Sequence, residues 1–370
     1  MIFQVIKKSI LKNTNKILKI KKKPINNDLR SLYLIFFSSL FLIGLFSSLP
    51  LISSYTSKLI FDSKLIDNTS KIDFEKTMLG KDINKKSSEG DSLILKNLFD
   101  DVFNFEDTPS DVVRLNASTV EQLFEDTNYS LKEVRKNKIV KPIVLNLLPE
   151  EIKNIQNTKK KKELFIQIVL PLILEENNLI KLDRKKLFVI LNKNNNSKRE
   201  IKWLNGKFKQ YGVDKKDLST LKIRMDEIPV SLALAQAAKE TGWGTSRFAI
   251  EGNALFGQWT WSDDGIKPSG ASSDSSHKIM KFKILKASVR AYQRNLNTHS
   301  GYREFRKVRA EQRDRGEKLN SLELVKYLDK YAATGKKYTD IIKKIIEQNK
   351  LTDFDDASLL PNSQRVKNLI

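Results

Sequence analysis

Residues 228–257 constrain the fold of this chain most. They predict both a helix and the residue at which that helix ends. Pro229 suits the first turn of a helix, since its fixed φ matches the helix and its missing N–H needs no partner there. Residues 231–239 are small or lack a branch at Cβ, which favours a helix packed closely against neighbouring elements. Two glycines around Trp243 then predict the helix end and a sharp turn.

Glu240 is the carboxylate that this pattern places at the C-terminal end of the predicted helix. The negative end of the helix dipole disfavours the ionised form, and partial burial against Trp243 would add desolvation, so we expect a raised pKa. A carboxylic acid that is still protonated near neutral pH is what a glycosidase needs to protonate a leaving oxygen. Most glutamates at helix ends have no catalytic role, so the residues alone permit a catalytic acid but do not identify one.

Several motifs together resemble one enzyme family. The sequence LAQAAKETGWGTSRFA, followed by GNALFG, resembles the signature of the glucosaminidase domain of bacterial cell-wall hydrolases (glycoside hydrolase family 73), in which the corresponding glutamate is the catalytic acid. The resemblance covers residues 115–348 and points to the Bax-like branch of that family. The supporting segments, in order, are YSLKEVR at 129–135, LNLLPEEI at 145–152, LFIQIVLPLIL at 164–174, RNLNTHSGY at 294–302 and YAATGKKYTD at 331–340.

The resemblance implies a mainly α fold, with a lysozyme-like α+β catalytic domain at 221–349 and a helical subdomain before it at 111–220. Local patterns agree with this. Runs at 258–261 and 279–284 predict a small β-hairpin lobe around a polar loop. An apolar run at 164–174, interrupted by Pro171, predicts a buried and kinked helix.

Three further patterns concern the C-terminal part of the chain. Apolar residues at positions 338, 341, 342, 345 and 346 form one stripe, which predicts an amphipathic helix. Residues 321–332 also predict a helix. Residues 350–370 are predicted to form a loose tail.

The N-terminal part predicts a membrane anchor. Residues 1–30 contain nine Lys or Arg and one Asp, and residues 31–57 carry no charge. About 20 apolar residues suffice to cross a bilayer, so we expect a transmembrane helix at 31–53. A Lys/Arg excess marks the cytoplasmic side. We therefore expect a basic cytoplasmic segment at 1–30, a flexible tether at 54–110, and a catalytic domain in the bacterial periplasm, held on the inner membrane by a single pass. A cleaved signal peptide is the alternative.

Composition limits the cofactors and partners. The chain has no cysteine and only two histidines, and no metal-ligand spacing is visible, so we expect no cofactor and no metal. The formal net charge of +23 is not accompanied by a nucleic-acid motif or a phosphate loop. A basic surface suits a polyanionic cell envelope instead. The family resemblance implies peptidoglycan glycan strands as the partner.

The resemblance implies the site residues. Glu240 is the expected general acid, and Asp263 or Asp264 in the polar loop is the expected second carboxylate, with Asp274 as a further candidate. A mechanism that uses the substrate's own acetamido group instead of a second carboxylate remains open. The expected substrate-binding residues are Trp243, Asn253, Phe256, Trp259, Trp261, Tyr331 and Tyr338. Structural roles are the alternative for each: turn formation for Asn253 and Phe256, and core packing for the aromatic side chains.

The sequence thus predicts a membrane-anchored peptidoglycan hydrolase of the endo-β-N-acetylglucosaminidase type, which cleaves the β-1,4 bond after N-acetylglucosamine. Two alternatives stay open: a lytic transglycosylase or muramidase on the same fold, and a catalytically silent glycan-binding protein of the envelope.

Overall fold

A computed structural model describes residues 111–260, 265–267 and 278–361, and these ranges are mainly helical. The α-helices are, in chain order, α1 (Ala117–Asp126), α2 (Leu131–Asn137), α3 (Thr158–Leu191), α4 (Lys198–Gln210), α5 (Leu218–Arg224), α6 (Val230–Thr241), α7 (Arg247–Gly252), α8 (Leu285–Thr298), α9 (Arg303–Asp314), α10 (Ser321–Leu324) and α11 (Lys336–Gln348). Short 3-10 helices lie at Glu150–Asn154, Ser300–Tyr302, Val325–Tyr327, Asp329–Tyr331 and Leu351–Phe354. The short strands are β1 (Ile139–Val140), β2 (Trp259–Thr260), β3 (Lys278–Ile279) and β4 (Ser358–Leu359).

Helix α6 lies at the centre of the fold. Its side chains are buried on every face from Val230 to Ala238. It packs against α3, α11 and the 3-10 helix Leu351–Phe354. A helix that is apolar all round belongs in an interior, and the small side chains of α6 allow its neighbours to approach closely. The segment that the sequence marks as most constraining is therefore the helix around which the others pack.

One hydrophobic core spans most of the described residues. It includes side chains from residues 117–174 and from residues 228–357, so it extends across the predicted boundary at 220. A smaller cluster lies under β3 and the start of α8, and another joins the end of α3 to α4 and α5. All described residues belong to one compact unit. The division into 111–220 and 221–349 stays a prediction.

Helix α3 continues through Pro171, which the sequence predicts to kink a buried helix. A proline inside a helix has no N–H for the carbonyl four residues earlier, here that of Gln167. The Tyr129 hydroxyl donates to this carbonyl at 3.1 Å, and the Gln167 side-chain amide donates back to the Tyr129 carbonyl at 2.7 Å. The segment before α2 therefore satisfies the backbone group that the proline leaves unpaired.

Two small sheets accompany the helices. Strands β2 and β3 pair antiparallel, with Trp259 opposite Ile279, which agrees with the predicted hairpin lobe. An isolated bridge joins Ile266 to Ile279. Strands β1 and β4 pair in parallel, with Ile139 opposite Ser358, and no local pattern indicated this pair.

Two predictions for the C-terminal part are wrong. Residues 351–361 do not form a loose tail, because Leu351 and Phe354 are fully buried and β4 pairs with β1. Residues 321–332 do not form one helix either. Helix α10 ends at Leu324 and two 3-10 turns follow, a geometry in which Leu324, Val325 and Leu328 are all buried. Tertiary packing overrides helical periodicity in residues 321–332 and orders the chain after residue 350.

Helix α11 is amphipathic as predicted, with Tyr338, Ile342 and Ile346 buried, whereas Ile341 of the predicted stripe is exposed. No helix in the described ranges is both long and apolar enough to cross a bilayer. The predicted anchor at 31–53, the tether at 54–110 and residues 362–370 lie outside those ranges.

Candidate active site

The Gly-Trp-Gly turn ends α6 as the sequence predicts. Gly242 and Trp243 both have left-handed backbones, with φ of 56° and 61°, and the Trp243 N–H bonds to the Ala238 carbonyl at 2.9 Å. Gly244 has φ of 84°, and a Cβ there would lie 2.9 Å from the Phe165 ring. Glycine is therefore required at position 244 both by backbone conformation and by the close approach of α3.

Trp243 packs against α3. Its indole makes an edge-on contact with Phe165, with ring centroids 5.9 Å apart, and the Lys162 ammonium lies 4.8 Å above the indole. Of the two roles open to this residue, the observed contacts are those of core packing.

Glu240 is partly buried at the end of α6, and burial raises the pKa of its carboxyl group. Hydrogen bonding from the Tyr338 hydroxyl and the positive charge of Lys239 act in the opposite direction on this pKa. The neighbours of the carboxylate come from elements distant in sequence, since Tyr338 lies in the first turn of α11. Gly257 also borders it, because a Cβ at that position would lie 3.3 Å from Glu240 Oε2.

A group of aromatic side chains surrounds this carboxylate. Tyr331 stacks on Tyr338, with centroids 5.4 Å apart and an interplanar angle of 10°, and Tyr302 lies 6.1 Å from Tyr331. Phe256 stacks on Tyr292 at 3.9 Å. Burial raises the pKa of all four tyrosines above the ordinary value. Their hydroxyl groups therefore stay protonated and act as neutral hydrogen-bonding groups.

The turn after α7 is fixed by hydrogen bonds. Asn253 has a left-handed backbone, and its side-chain amide donates to the Phe282 carbonyl at 2.9 Å and to the Lys283 carbonyl at 3.2 Å. The Tyr331 hydroxyl donates to the Phe256 carbonyl at 2.9 Å. These bonds hold Gly257 beside Glu240. Asn253, Phe256 and Tyr331 therefore have structural contacts, and their contact with substrate stays a prediction.

Trp259 belongs to β2. Trp261, Asp263, Asp264 and Asp274 lie outside the described residues. His299 accepts a hydrogen bond from the Gly301 N–H through Nδ1 at 3.1 Å and so caps the 3-10 helix Ser300–Tyr302.

Sequence reasoning missed Gln236, Tyr292 and Tyr302 as site residues. Tyr292 donates to Gln236 Oε1 at 2.7 Å, and Gln236 Nε2 donates to the Tyr338 hydroxyl at 2.9 Å. One local signal was available, because Gln236 precedes Glu240 by four residues and so lies on the same helix face. A glutamine among small apolar residues of a buried helix must have hydrogen-bonding partners.

The site has the elements of an acid catalyst. A carboxyl group with a raised pKa can carry a proton to a substrate oxygen, and the neighbouring hydroxyl can stabilise the carboxylate that remains. Among the described residues, no group of three His, Asp or Glu side chains is arranged to hold a metal ion.

Comparisons with known proteins identify the family of this chain. Residues 218–351 match the family model described as "Glucosaminidase: Mannosyl-glycoprotein endo-beta-N-acetylglucosaminidase". The chain is 32% identical to the protein Bax of Escherichia coli (strain K12) over 208 residues, which are 55% of this chain and 74% of Bax. No solved structure matches. The matched region contains Glu240 and the aromatic group around it, and the chain belongs to the Bax-like proteins with a glucosaminidase domain, as a glycoside hydrolase of the endo-glucosaminidase type.

Proposed function

We propose that this enzyme hydrolyses peptidoglycan glycan strands at the β-1,4 bond after N-acetylglucosamine, with Glu240 as the general acid. The observation that carries the proposal is the environment of Glu240. Its carboxyl group lies at the end of a buried helix, its pKa is raised by burial, and its hydrogen-bonding partner is a neutral tyrosine hydroxyl.

This environment suits both halves of a proton transfer. Before the reaction, desolvation favours the protonated form of Glu240. As the glycosidic C–O bond breaks, the proton moves to the leaving oxygen and Glu240 becomes a carboxylate. The Tyr338 hydroxyl and the charge of Lys239 both favour this ionised form. Burial therefore favours the protonated acid in the resting state, and the conjugate base is stabilised when it forms.

Completion of hydrolysis needs a group that activates water or replaces it. Asp263 or Asp264 would remove a proton from water as it attacks the anomeric carbon, in a paired-carboxylate mechanism. Alternatively, the acetamido oxygen of the substrate would bond to that carbon first, and water would then open the cyclic intermediate with Glu240 accepting its proton. Replacing Asp263 and Asp264 together by Asn distinguishes the two, since only the first mechanism loses its base.

The proposal also covers where the glycan binds and on which side of the membrane the enzyme acts. A mainly helical domain with a small antiparallel lobe supports a lysozyme-like arrangement, with the glycan bound between the lobe and the helices. The uncharged stretch at 31–57 behind a lysine-rich segment supports a single-pass anchor in the inner membrane, with residues after 58 in the periplasm. Protease treatment of spheroplasts tests this topology: the catalytic domain should be digested from outside, and a chain lacking residues 1–53 should leave the membrane fraction.

Mass spectrometry of digested sacculi tests the activity. The full-length chain should release fragments with N-acetylglucosamine at the reducing end, and Glu240→Gln should release none. Glu251→Gln is the matched control, because Glu251 lies on the neighbouring helix α7 with an exposed side chain. Reducing-end N-acetylmuramic acid or an anhydro product would instead identify a muramidase or a lytic transglycosylase. Glycan binding without any product would identify a silent binding protein.

A further inference from the structure

Gln236 has no role in the proton transfer proposed above, yet it is fully buried in α6, one turn before Glu240. Its neighbours along the helix are alanine and leucine. A side-chain amide in such surroundings is costly unless both of its ends are hydrogen-bonded. Both ends of Gln236 are bonded to tyrosine hydroxyls.

The two hydrogen bonds have a direction. The Tyr292 hydroxyl donates to Gln236 Oε1 at 2.7 Å, and Gln236 Nε2 donates to the Tyr338 oxygen at 2.9 Å. Tyr338 is therefore an acceptor towards Gln236, and its own proton is left for Glu240. The Tyr292 ring is fixed by its stacking on Phe256, so the first donor of the series is held in place.

The opposite orientation of the amide would break the series. Gln236 Oε1 would then accept from Tyr338, and the hydroxyl proton would point away from Glu240. A hydrogen bond to an ionised carboxylate is stronger than one to a neutral amide. The observed orientation is therefore the one that stabilises Glu240 after it has lost its proton.

We propose that Gln236 is a positioning residue, which with Tyr292 holds the Tyr338 hydroxyl so that its proton is directed at Glu240. The inference rests on the proposed role of Glu240 as general acid. The side chains of Gln236 and Tyr292 take no part at the reacting bond in this scheme, and they act on Glu240 through Tyr338. Both are buried, and the series of hydrogen bonds is Tyr292 to Gln236 to Tyr338 to Glu240.

The test is the pH dependence of kcat for the full-length chain with Gln236→Met, a change that keeps the shape of the side chain and removes both bonds. Loss of a directed donor raises the pKa of Glu240, so the acid stays protonated to higher pH. The alkaline limb of the profile should move to higher pH, and kcat should fall by about two- to tenfold, the equivalent of one hydrogen bond. A purely structural role would lower the folded fraction and leave the limb in place.

A double-mutant cycle with Tyr338→Phe makes the test specific. If Gln236 acts only through the Tyr338 hydroxyl, adding Gln236→Met to Tyr338→Phe should move the limb no further. Shifts that add, or a Gln236→Met limb that matches the wild type, would overturn the proposal. If Gln236→Met does not fold, Tyr292→Phe tests the same series, with a smaller shift in the same direction that Tyr338→Phe should also abolish.

The two proposals fail in different ways. Activity retained by Glu240→Gln would overturn both proposals, because Glu240 would not be the acid that Tyr338 and Gln236 serve. The positioning role alone would fail if Glu240→Gln were inactive while the alkaline limb of the pH profile stayed in place in Gln236→Met and Tyr292→Phe. The proposed function would then stand.

Discussion

The carboxylate of Glu240 lies over Gly257: a Cβ added to Gly257 would come within 3.3 Å of Glu240 Oε2. The two residues meet because hydrogen bonds from Asn253 and Tyr331 hold the turn after α7 against the end of α6. This turn therefore limits where the Glu240 side chain can lie.

Gly257→Ala should lower kcat by about tenfold or more, because the new methyl group displaces a group whose position must be held closely. The backbone at Gly257 is left-handed, so an alanine there also costs about 1–2 kcal/mol in stability. Gly316→Ala is the matched control, since Gly316 has φ of 72° and open space around the added Cβ. Equal losses of activity in the two variants would show that strain alone is responsible.

Tyr338→Phe should move the alkaline limb of the pH–rate profile to higher pH. The hydroxyl lowers the pKa of Glu240 by bonding its ionised form, so its removal raises that pKa. Tyr331→Phe is the comparison, because Tyr331 stacks on the same ring but donates to the Phe256 carbonyl. Whatever it does to KM, Tyr331→Phe should leave the limb in place. A limb that moves equally in both variants would contradict the assignment.

Tyr129→Phe should lower the free energy of unfolding by about 1–2 kcal/mol, because the Gln167 carbonyl loses the donor that Pro171 cannot supply. Chemical denaturation of the full-length chain measures this. Pro171→Ala restores an N–H to α3, so the cost of Tyr129→Phe should shrink in that background. An unchanged cost would mean that the hydroxyl contributes through other contacts.

Asp355 should make stability depend on pH. Its carboxylate accepts bonds from the Ser231 N–H at 2.8 Å and the Ser231 hydroxyl at 2.7 Å, at the start of α6. Burial, aided by the charges of Asp356 and Glu227, raises the pKa of Asp355 to about 6. The folded state therefore holds a proton that the unfolded state has lost above pH of about 4.

The sign follows from this difference. The contribution of Asp355 to stability is fully present below pH of about 4 and is lost as the pH rises through about 6. Asp355→Asn should remove about 2–3 kcal/mol of pH dependence in that window. Urea denaturation at several pH values between about 4 and about 7 measures the free energy of unfolding of the wild type and of Asp355→Asn. Asp314→Asn, a change at an exposed position, should leave the change of unfolding free energy with pH as it is in the wild type. If Asp355→Asn also showed the wild-type change of unfolding free energy with pH, the prediction would be contradicted.

Phe354→Ala should cost about 3–5 kcal/mol, because Phe354 is fully buried in the main core and lies under the Arg135 guanidinium at 4.5 Å. Leu360→Ala, at an exposed position a few residues later, should change stability by about 0.5 kcal/mol or less. Thermal unfolding of the two variants separates a packed C-terminal segment from a loose one. Similar melting temperatures would support the loose tail.

The sequence by itself determined the features that depend on neighbouring residues. Helix α6, its end at the Gly-Trp-Gly turn, the stripe of α11 and the antiparallel pair of β2 with β3 all follow from short-range signals. The raised pKa of Glu240 was also predicted, although the desolvation was assigned to Trp243. That indole packs on Phe165, while tyrosines from elsewhere in the chain surround the carboxylate.

Only the tertiary structure decided which distant side chains meet. Tyr338 lies 102 residues from Gln236, and Tyr292 lies 56 residues from it, yet their hydroxyls share one amide. The breaks in residues 321–331 and the pairing of β4 with β1 likewise depend on burial against remote elements. The physical reason is that local pattern fixes backbone propensity, whereas a buried polar group takes its partners from whichever elements the core brings together.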